Sequence, residues 1–107
     1  MINQTKIIEF FDRLAPQWDS DMIRNDEIIN IILDNAKVSE GKKILDVACG
    51  TGVLIPDYLE RKVSSVTAID ISREMIKIAS SKYDKDNIKF ICPVPSDTFS
   101  PVSESLL

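Results

Sequence analysis

The sequence contains no histidine, and it has only two cysteines and three glycines among its 107 residues. Zinc hydrolysis that relies on histidine ligands and catalytic triads that rely on a histidine base are therefore excluded. The two cysteines, Cys49 and Cys92, lie 43 positions apart, which fits neither a metal-ligand pair nor a redox CxxC motif. The sequence accordingly predicts no metal site.

Positive charge and long apolar runs are also scarce. The net charge is −4 and the pI is near 4.7, so partners that are bound through their phosphates, such as nucleic acids or anionic membrane surfaces, are disfavoured. The longest apolar stretch, residues 28–33, is interrupted by Asn30 and is too short to span a bilayer. The first residues lack the apolar core and cleavage site of a secretory signal. We therefore expect a cytoplasmic protein without a membrane partner.

What the sequence does contain is the composition of one small globular domain, with 44% apolar and 28% charged residues. Two amphipathic helices are predicted at its start. Apolar residues recur at helical spacing from Ile7 to Leu14, and Pro16 is expected to end this first helix. The second helix is predicted from the apolar positions between residues 28 and 36.

From residue 43 onward, three short apolar runs alternate with helical patterns. Residues 43–48, 65–70 and 87–92 are predicted as strands, and the first should be buried on both faces. Between them lie two predicted helices, one at residues 53–62 and one that follows an N-cap at Ser72. This alternation predicts an α/β fold: a short parallel sheet in strand order 3-2-1, with two N-terminal helices and with helices on both faces.

The turn after the first predicted strand is the candidate functional site. It contains Gly50 and Gly52, and the second strand ends at Asp70, 18 residues after Gly52. Glycines let a ligand approach the backbone, and an acid at this spacing can accept hydrogen bonds from ribose hydroxyls. The pattern therefore predicts a nucleoside site. The dinucleotide fingerprint G-x-G-x-x-G fails, however, because Ile55 occupies the position of its third glycine.

Three segments of the sequence resemble motifs of a known family. The run ILDVACGTGVL, residues 44–54, is similar to the first motif of class I S-adenosylmethionine-dependent methyltransferases, and VTAIDISREMIKIA, residues 66–79, is similar to their second strand and following helix. The segment FFDRLAPQWD, residues 10–19, resembles the N-terminal part of the branch that contains ubiquinone and menaquinone C-methyltransferases. The resemblance covers about residues 8–91 and implies a partial Rossmann-like methyltransferase fold.

The resemblance also implies S-adenosylmethionine as the cofactor and gives several residues a role. Asp70 would accept hydrogen bonds from the ribose diol, and Asp46 would face the cationic amino group of the methionyl portion. Ile71 would pack on the adenine, and Met75 would help to close its pocket. The implied cofactor-binding residues are Asp46, Ala48, Cys49, Gly50, Thr51, Gly52, Asp70, Ile71 and Met75, of which Ala48 departs from the glycine most common in the motif.

Two features of the site stay open. Trp18 is either a cover over the cofactor, as the N-terminal segment provides in the family, or a core residue. No catalytic residue is predicted, because methyl transfer from a sulfonium is a direct displacement that depends on the alignment of donor and acceptor. An acid–base pair is not required.

The family resemblance implies more strands than this sequence supplies. The complete sheet has seven strands in the order 3-2-1-4-5-7-6, and three are predicted here. We expect residues 1–92 to form the N-terminal, cofactor-binding half of a methyltransferase domain and residues 93–107 to form an irregular tail rich in proline and serine. The abrupt change of composition after Cys92 suggests a truncated form that arose by a reading-frame shift. Asp97 is a candidate to replace the acid that the family places after its third strand.

The expected function is methyl transfer from S-adenosylmethionine to an acceptor that the sequence does not identify. The alternative is a non-catalytic cofactor-binding or interaction module that associates, also as a homodimer, through the sheet edge left open by the missing fourth strand. A nucleotide-dependent oxidoreductase is a third hypothesis, which Ile55 disfavours.

Overall fold

The computed structural model describes residues 4–94. In chain order its elements are α1 (Gln4–Asp21), α2 (Asp26–Asn35), β1 (Lys43–Val47), α3 (Ile55–Glu60), β2 (Ser65–Ile69), α4 (Arg73–Lys82) and β3 (Ile88–Ile91). Asp97 and most of the predicted tail lie outside the described residues. Among the helices of residues 4–94, none is long and apolar enough to cross a membrane.

The three strands form one parallel sheet in the order β1-β2-β3. Val66 in β2 pairs with Ile44 of β1 on one side and with Ile88 of β3 on the other. The predicted parallel 3-2-1 order is therefore confirmed. Because all strands run in the same direction, their carboxyl ends lie at one edge of the sheet, which is where open α/β sheets bind ligands.

The hydrophobic core lies against one face of this sheet. Val66 and Ala68 of β2 are almost completely buried there. Leu33 of α2 and both Ile55 and Tyr58 of α3 belong to the same buried cluster, and Ile76 of α4 packs against it. Burial of large apolar side chains contributes roughly 1.5–3 kcal/mol each, so this cluster is the main source of stability for the fold.

The opposite face of β1 differs from its prediction. Leu45 and Val47 are 63% and 68% exposed, so the expectation that this strand is buried on both faces is wrong. Helices were also expected on both faces, whereas α2, α3 and α4 all contribute to the core on the face that carries Ile44 and Val66. An apolar run shows that a strand can be buried on both faces, but a second layer of structure is needed to bury it.

Helix α1 continues through Pro16, although this proline was predicted to end it. Proline has no backbone N–H and removes one hydrogen bond from the helix. Contacts on both sides compensate: the Ser72 hydroxyl donates to Asp12, and the Thr51 hydroxyl donates to Asp19. Tertiary contacts of this kind override intrinsic helix propensity, which is a weaker influence.

Capping side chains define the starts of α2 and α4. The side chain of Asn25 accepts a hydrogen bond from the Ile28 N–H at 3.1 Å at the start of α2. The Ser72 hydroxyl accepts one from the Met75 N–H at 3.2 Å, which confirms the predicted N-cap of α4. Helix α3 carries Pro56 in its first turn, where the missing N–H costs no helical hydrogen bond.

Candidate functional site

A cavity of about 270 Å³ opens at the carboxyl edge of the sheet, between the ends of β1 and β2 and helix α1. Asp70 is the one carboxylate among the described residues that line it, and the other walls are apolar. Ligand pockets usually begin at roughly 300 Å³, so the cavity suits a nucleoside-sized group better than a dinucleotide. Its lining residues are Phe11, Trp18, Val47, Ala48, Gly50, Ile69, Asp70, Ile71 and Met75.

Asp70 stands where β2 ends and is hydrogen-bonded to the glycine turn. One carboxylate oxygen accepts from the backbone N–H of Gly50 and the other accepts from the N–H of Ser72, each at 2.8 Å. These bonds hold the carboxylate at the cavity wall and connect the glycine turn to the start of α4. A carboxylate offers about four lone-pair positions, so each oxygen can accept a further hydrogen bond, for example from a hydroxyl.

Two residues of the turn present their backbone or a small side chain to the cavity. Gly50 has a φ of +59°, and a Cβ at this position would lie 3.7 Å from Trp18 Nε1. Ala48 has a φ of 63°, a left-handed conformation that costs an L-residue about 1 kcal/mol. A ligand in the cavity therefore meets almost bare peptide at these two positions.

Gly52 and Thr51 point into the protein. Gly52 has a φ of +83°, and a Cβ there would lie 3.1 Å from both Ile55 and the Tyr83 ring. Thr51 is fully buried, and its hydroxyl donates to Asp19. The structure thus gives Gly52 a packing role and makes Thr51 the link between the turn and α1.

Cys49 lies in the turn but belongs to the core, where it is 6% exposed. Burial raises the pKa of its thiol to about 12, and the negative charges of Asp70 and Asp46 add to this effect. The thiol is therefore protonated at neutral pH and is not a nucleophile.

Asp46 does not line the cavity and instead pairs with α3. Its Oδ2 accepts a hydrogen bond from the Tyr58 hydroxyl at 3.0 Å. Burial raises the pKa of the Asp46 carboxyl, the Tyr58 hydrogen bond partly offsets this increase, and the charge of Asp70 adds to it. The charge of Asp70 therefore acts on Asp46, although of these two residues only Asp70 lines the cavity.

Helix α1 forms one wall of the cavity through Phe11 and Trp18, whose ring centroids are 6.3 Å apart. The helix is held in place by Asp19, which pairs with Lys82 of α4 at 2.7 Å. Burial acts to raise the pKa of the Asp19 carboxyl, but the hydrogen bonds from Lys82 and Thr51 outweigh it and lower the pKa. The ion pair is partly exposed and is screened by solvent, so its individual contribution to stability is small.

Sequence reasoning missed three apolar residues of the cavity, which are Phe11, Val47 and Ile69. Val47 and Ile69 are the last residues of β1 and β2. Their position at the carboxyl ends of two strands could have identified them as lining residues. Phe11 was assigned to the apolar face of the first helix, but periodicity does not identify the neighbour that such a face covers. Trp18, which the sequence allowed to be either a cover over the cofactor or a core residue, lines the cavity.

Comparison with known proteins identifies the family. The methyltransferase domain family matches residues 44–100. The chain is 33% identical over 95 residues to malonyl-[acyl-carrier protein] O-methyltransferase of Acetivibrio thermocellus, a match that covers 86% of this chain and 34% of the relative. It is 28% identical over 106 residues to a ubiquinone/menaquinone biosynthesis C-methyltransferase of Campylobacter jejuni, with 85% and 44% covered.

Two solved structures share the fold. The DhpI–SAH complex superposes with a TM-score of 0.62 at 24% identity, covering 78% of this chain and 41% of that chain. A methyltransferase of Thiobacillus denitrificans, in complex with S-adenosyl-L-homocysteine, superposes with a TM-score of 0.58 at 18% identity, covering 76% and 35%. These similarities confirm the Rossmann-like methyltransferase fold.

The chain belongs to the methyltransferase domain family, whose match extends over more than half of its length. The matched range runs to residue 100 and so passes the boundary predicted at residue 92. The chain spans between a third and a half of the length of the two curated relatives described above.

Proposed function

We propose that this chain binds S-adenosylmethionine in the cavity and acts as the cofactor-binding part of an S-adenosylmethionine-dependent methyltransferase. The observation that carries the proposal is the placement of Asp70, whose carboxylate is fixed beside the bare backbone of Gly50 in an otherwise apolar cavity. An adenosine group needs both features, because the ribose diol requires acceptors and the adenine requires apolar surface.

The residues around the cavity fit the cofactor. Ile71, Met75 and Trp18 offer apolar surface to the adenine beside Asp70. When bound, the cofactor supplies an electrophilic methyl group on a sulfonium. The residues of this chain hold and orient the donor and exclude water from its adenosine part. Orientation supplies roughly 7–11 kcal/mol in intramolecular analogues of such reactions, so the absence of a histidine base is no obstacle.

The methyl acceptor stays unassigned. One relative is named for malonyl-[acyl-carrier protein] and the other for ubiquinone and menaquinone biosynthesis. Because the chain spans less than half of either relative, we propose no acceptor, and we expect its binding residues to be supplied by structure beyond β3.

Calorimetric titration of the purified chain with S-adenosylhomocysteine, S-adenosylmethionine and NAD tests the proposal. We expect the first two to bind and NAD to bind much more weakly. Binding of NAD alone would contradict the proposal and favour an oxidoreductase.

The role of Asp70 is tested from both the protein and the ligand. We expect Asp70→Ala to weaken binding of S-adenosylhomocysteine by at least about tenfold, since two charge-assisted hydrogen bonds are lost. Asp84→Ala, which removes an exposed carboxylate after α4, is the matched control and should leave the affinity unchanged. Comparison of adenosine with 2′,3′-dideoxyadenosine on the unmodified chain avoids any effect of the substitution on folding. Equal affinity for these two nucleosides would show that the diol is not recognised.

An interaction module remains the second candidate function because of the exposed side of β1. Leu45 and Val47 are largely exposed there, and β1 is an edge strand of the sheet that residues 4–94 form. We propose that association through this edge, as a homodimer or with another polypeptide, accompanies cofactor binding. Binding of S-adenosylhomocysteine without methyl transfer would favour this module over an enzyme.

Cytoplasmic location stays a prediction from the sequence.

A further inference from the structure

We infer that Asp12 and Asp19 are positioning residues that fix the aromatic wall of the cavity at a set distance from the carboxylate of Asp70. The inference rests on the proposed function, because a nucleoside presents its base and its ribose diol at a nearly fixed separation. Phe11 and Trp18 line the cavity from α1, and each directly precedes one of these two aspartates. The two pairs lie seven residues apart, which is about two helical turns, so they share one side of α1.

Each aspartate attaches α1 to a segment at the edge of the cavity. The Thr51 hydroxyl of the glycine turn donates to Asp19, and the Ser72 hydroxyl at the start of α4 donates to Asp12. Asp19 also pairs with Lys82 at 2.7 Å. Hydrogen bonds to a carboxylate are stronger than those between neutral groups. Helix α1 is therefore attached at two points, one next to each aromatic residue of the wall.

The two segments that hold α1 also hold Asp70. Gly50, which precedes Thr51 in the chain, donates its N–H to one carboxylate oxygen of Asp70, and Ser72 donates its N–H to the other, each at 2.8 Å. Two separate chains of contacts thus connect Asp70 to α1, one through the glycine turn and one through Ser72. A shift of α1 relative to Asp70 must break a hydrogen bond in at least one of them.

Apolar packing alone does not fix this alignment. Ile8 and Ala15 are the buried residues of the described part of α1, and hydrophobic burial has no preferred direction, whereas a hydrogen bond requires a defined distance and angle. Pro16 lies between the two aromatic residues, and proline is a common site of helix kinks. Each half of the helix therefore needs its own attachment, and Asp12 and Asp19 provide them.

The test removes one hydroxyl from the glycine turn. Thr51→Val keeps the shape of a fully buried side chain, and the released Asp19 stays solvated because its side chain is 44% exposed. In the unliganded chain we expect the backbone amides of α1 to exchange faster with deuterium, while those of α2 are unchanged. The affinity for adenosine should fall by at least about threefold, since losing a hydrogen bond to a carboxylate lowers the population of correctly placed α1. Thr51→Ser, which keeps the hydroxyl, should largely restore both values.

The contribution of the ribose diol separates a misplaced wall from a collapsed turn. Thr51→Val leaves both backbone donors of Asp70 in place, so the ratio of the affinities for adenosine and 2′,3′-dideoxyadenosine should not change. Disruption of the turn would lower this ratio together with both affinities. Asp12→Ala breaks the second attachment and should give the same pattern as Thr51→Val. Asp12→Asn keeps an acceptor for the Ser72 hydroxyl and should behave like the unmodified chain.

The matched control is Thr67→Val, which makes the same change in β2 at a residue outside the cavity lining. It should alter neither the exchange of α1 nor the affinity for adenosine. Unchanged exchange, unchanged affinity or a lower ratio of the two affinities, in both Thr51→Val and Asp12→Ala, would overturn the inference and leave the proposed function intact. Failure of the unmodified chain to bind adenosine would overturn the proposed function, and the exchange of α1 would still decide whether the two aspartates position the wall.

Discussion

At the scale of single residues, Gly52 and Gly41 share a left-handed backbone but differ in their surroundings. Their φ values are +83° and +80°, yet a Cβ on Gly52 would meet Ile55 and Tyr83 at 3.1 Å, whereas a Cβ on Gly41 would have no atom within 4 Å. We expect Gly41→Ala to cost about 1 kcal/mol through backbone strain. Gly52→Ala should cost roughly 1–3 kcal/mol more through overpacking. Urea unfolding of the two variants measures the difference, and similar losses would mean that the turn relaxes around the new methyl group.

The contact between Asp46 and the cofactor's amino group, which the family resemblance implies, predicts that ligand affinity depends on pH. The pKa of its carboxyl is raised above the ordinary value of 3.8, mainly by burial. As the pH falls from 7 through this raised pKa, the carboxylate is protonated and we expect the affinity for S-adenosylhomocysteine to fall. Calorimetry at a series of pH values measures this loss. The control ligand is 5′-methylthioadenosine, which lacks the amino group of the methionyl portion. The part of the pH dependence that Asp46→Asn removes for S-adenosylhomocysteine should be absent for this ligand.

The contribution of Asp46 to folding stability has the opposite sign. An acid whose pKa is higher in the folded state than in the unfolded state binds more protons when folded, so acidification through that pKa stabilises the fold. Above pH 3.8, protonation of Asp46 should therefore raise the free energy of unfolding of the unliganded chain, whereas it should weaken ligand binding. Unfolding curves at a series of pH values, measured for the unmodified chain and for Asp46→Asn, isolate the contribution of Asp46 to stability. The same pH dependence in both proteins would contradict the prediction.

At the scale of helices and strands, the Ser72 side chain both caps a helix and connects two helices, whereas the Asn25 side chain only caps a helix. Both cap a helix, but the Ser72 hydroxyl also donates to Asp12 and so connects α4 to α1. We expect Asn25→Ala to cost about 1 kcal/mol and Ser72→Ala to cost about 2 kcal/mol, the upper end for a cap. Thermal unfolding followed by circular dichroism should show a clearly larger decrease in Tm for Ser72→Ala. Equal decreases would indicate that the contact between α1 and α4 adds nothing to the cap.

The elements that were predicted correctly from the sequence depend on local signals. The N-cap at Ser72 follows from backbone chemistry within a few residues. The continuation of α1 through Pro16 depends on partners far along the chain, at Thr51 and Ser72. Periodicity near Pro16 contains no information on those partners, so the helix end was misplaced.

The residues of the candidate site also differ in whether a local signal in the sequence predicts them. The turn glycines and Asp70 were visible as a motif, because the motif is contiguous or lies at the end of one strand. The wall that Phe11 contributes depends on how α1 packs across the sheet edge, and the pairing of Tyr58 with Asp46 depends on the packing of α3 against β1. Neither contact has a signature in the linear sequence.

At the scale of the whole molecule, the exposed side of β1 predicts self-association. Leu45 and Val47 are 63% and 68% exposed on a strand that lies at the edge of the sheet in the described part of the chain. Such edges pair with other chains unless they are protected. We expect sedimentation of the unmodified chain to depend on concentration and Leu45→Lys to be monomeric. Ile23→Lys, at a residue that is 95% exposed between α1 and α2, is the matched control and should behave like the unmodified chain. A strictly monomeric unmodified chain would contradict the prediction.

Trp18 gives the cavity an intrinsic optical probe. It is the only tryptophan among the 107 residues, and its indole nitrogen lies 3.7 Å from the position that a Cβ on Gly50 would occupy. Any molecule that enters the cavity changes the polarity around this one chromophore, so the fluorescence emission of the unlabelled chain reports on a single place in the fold. Occupancy can thus be followed in stopped-flow mixing without a dye.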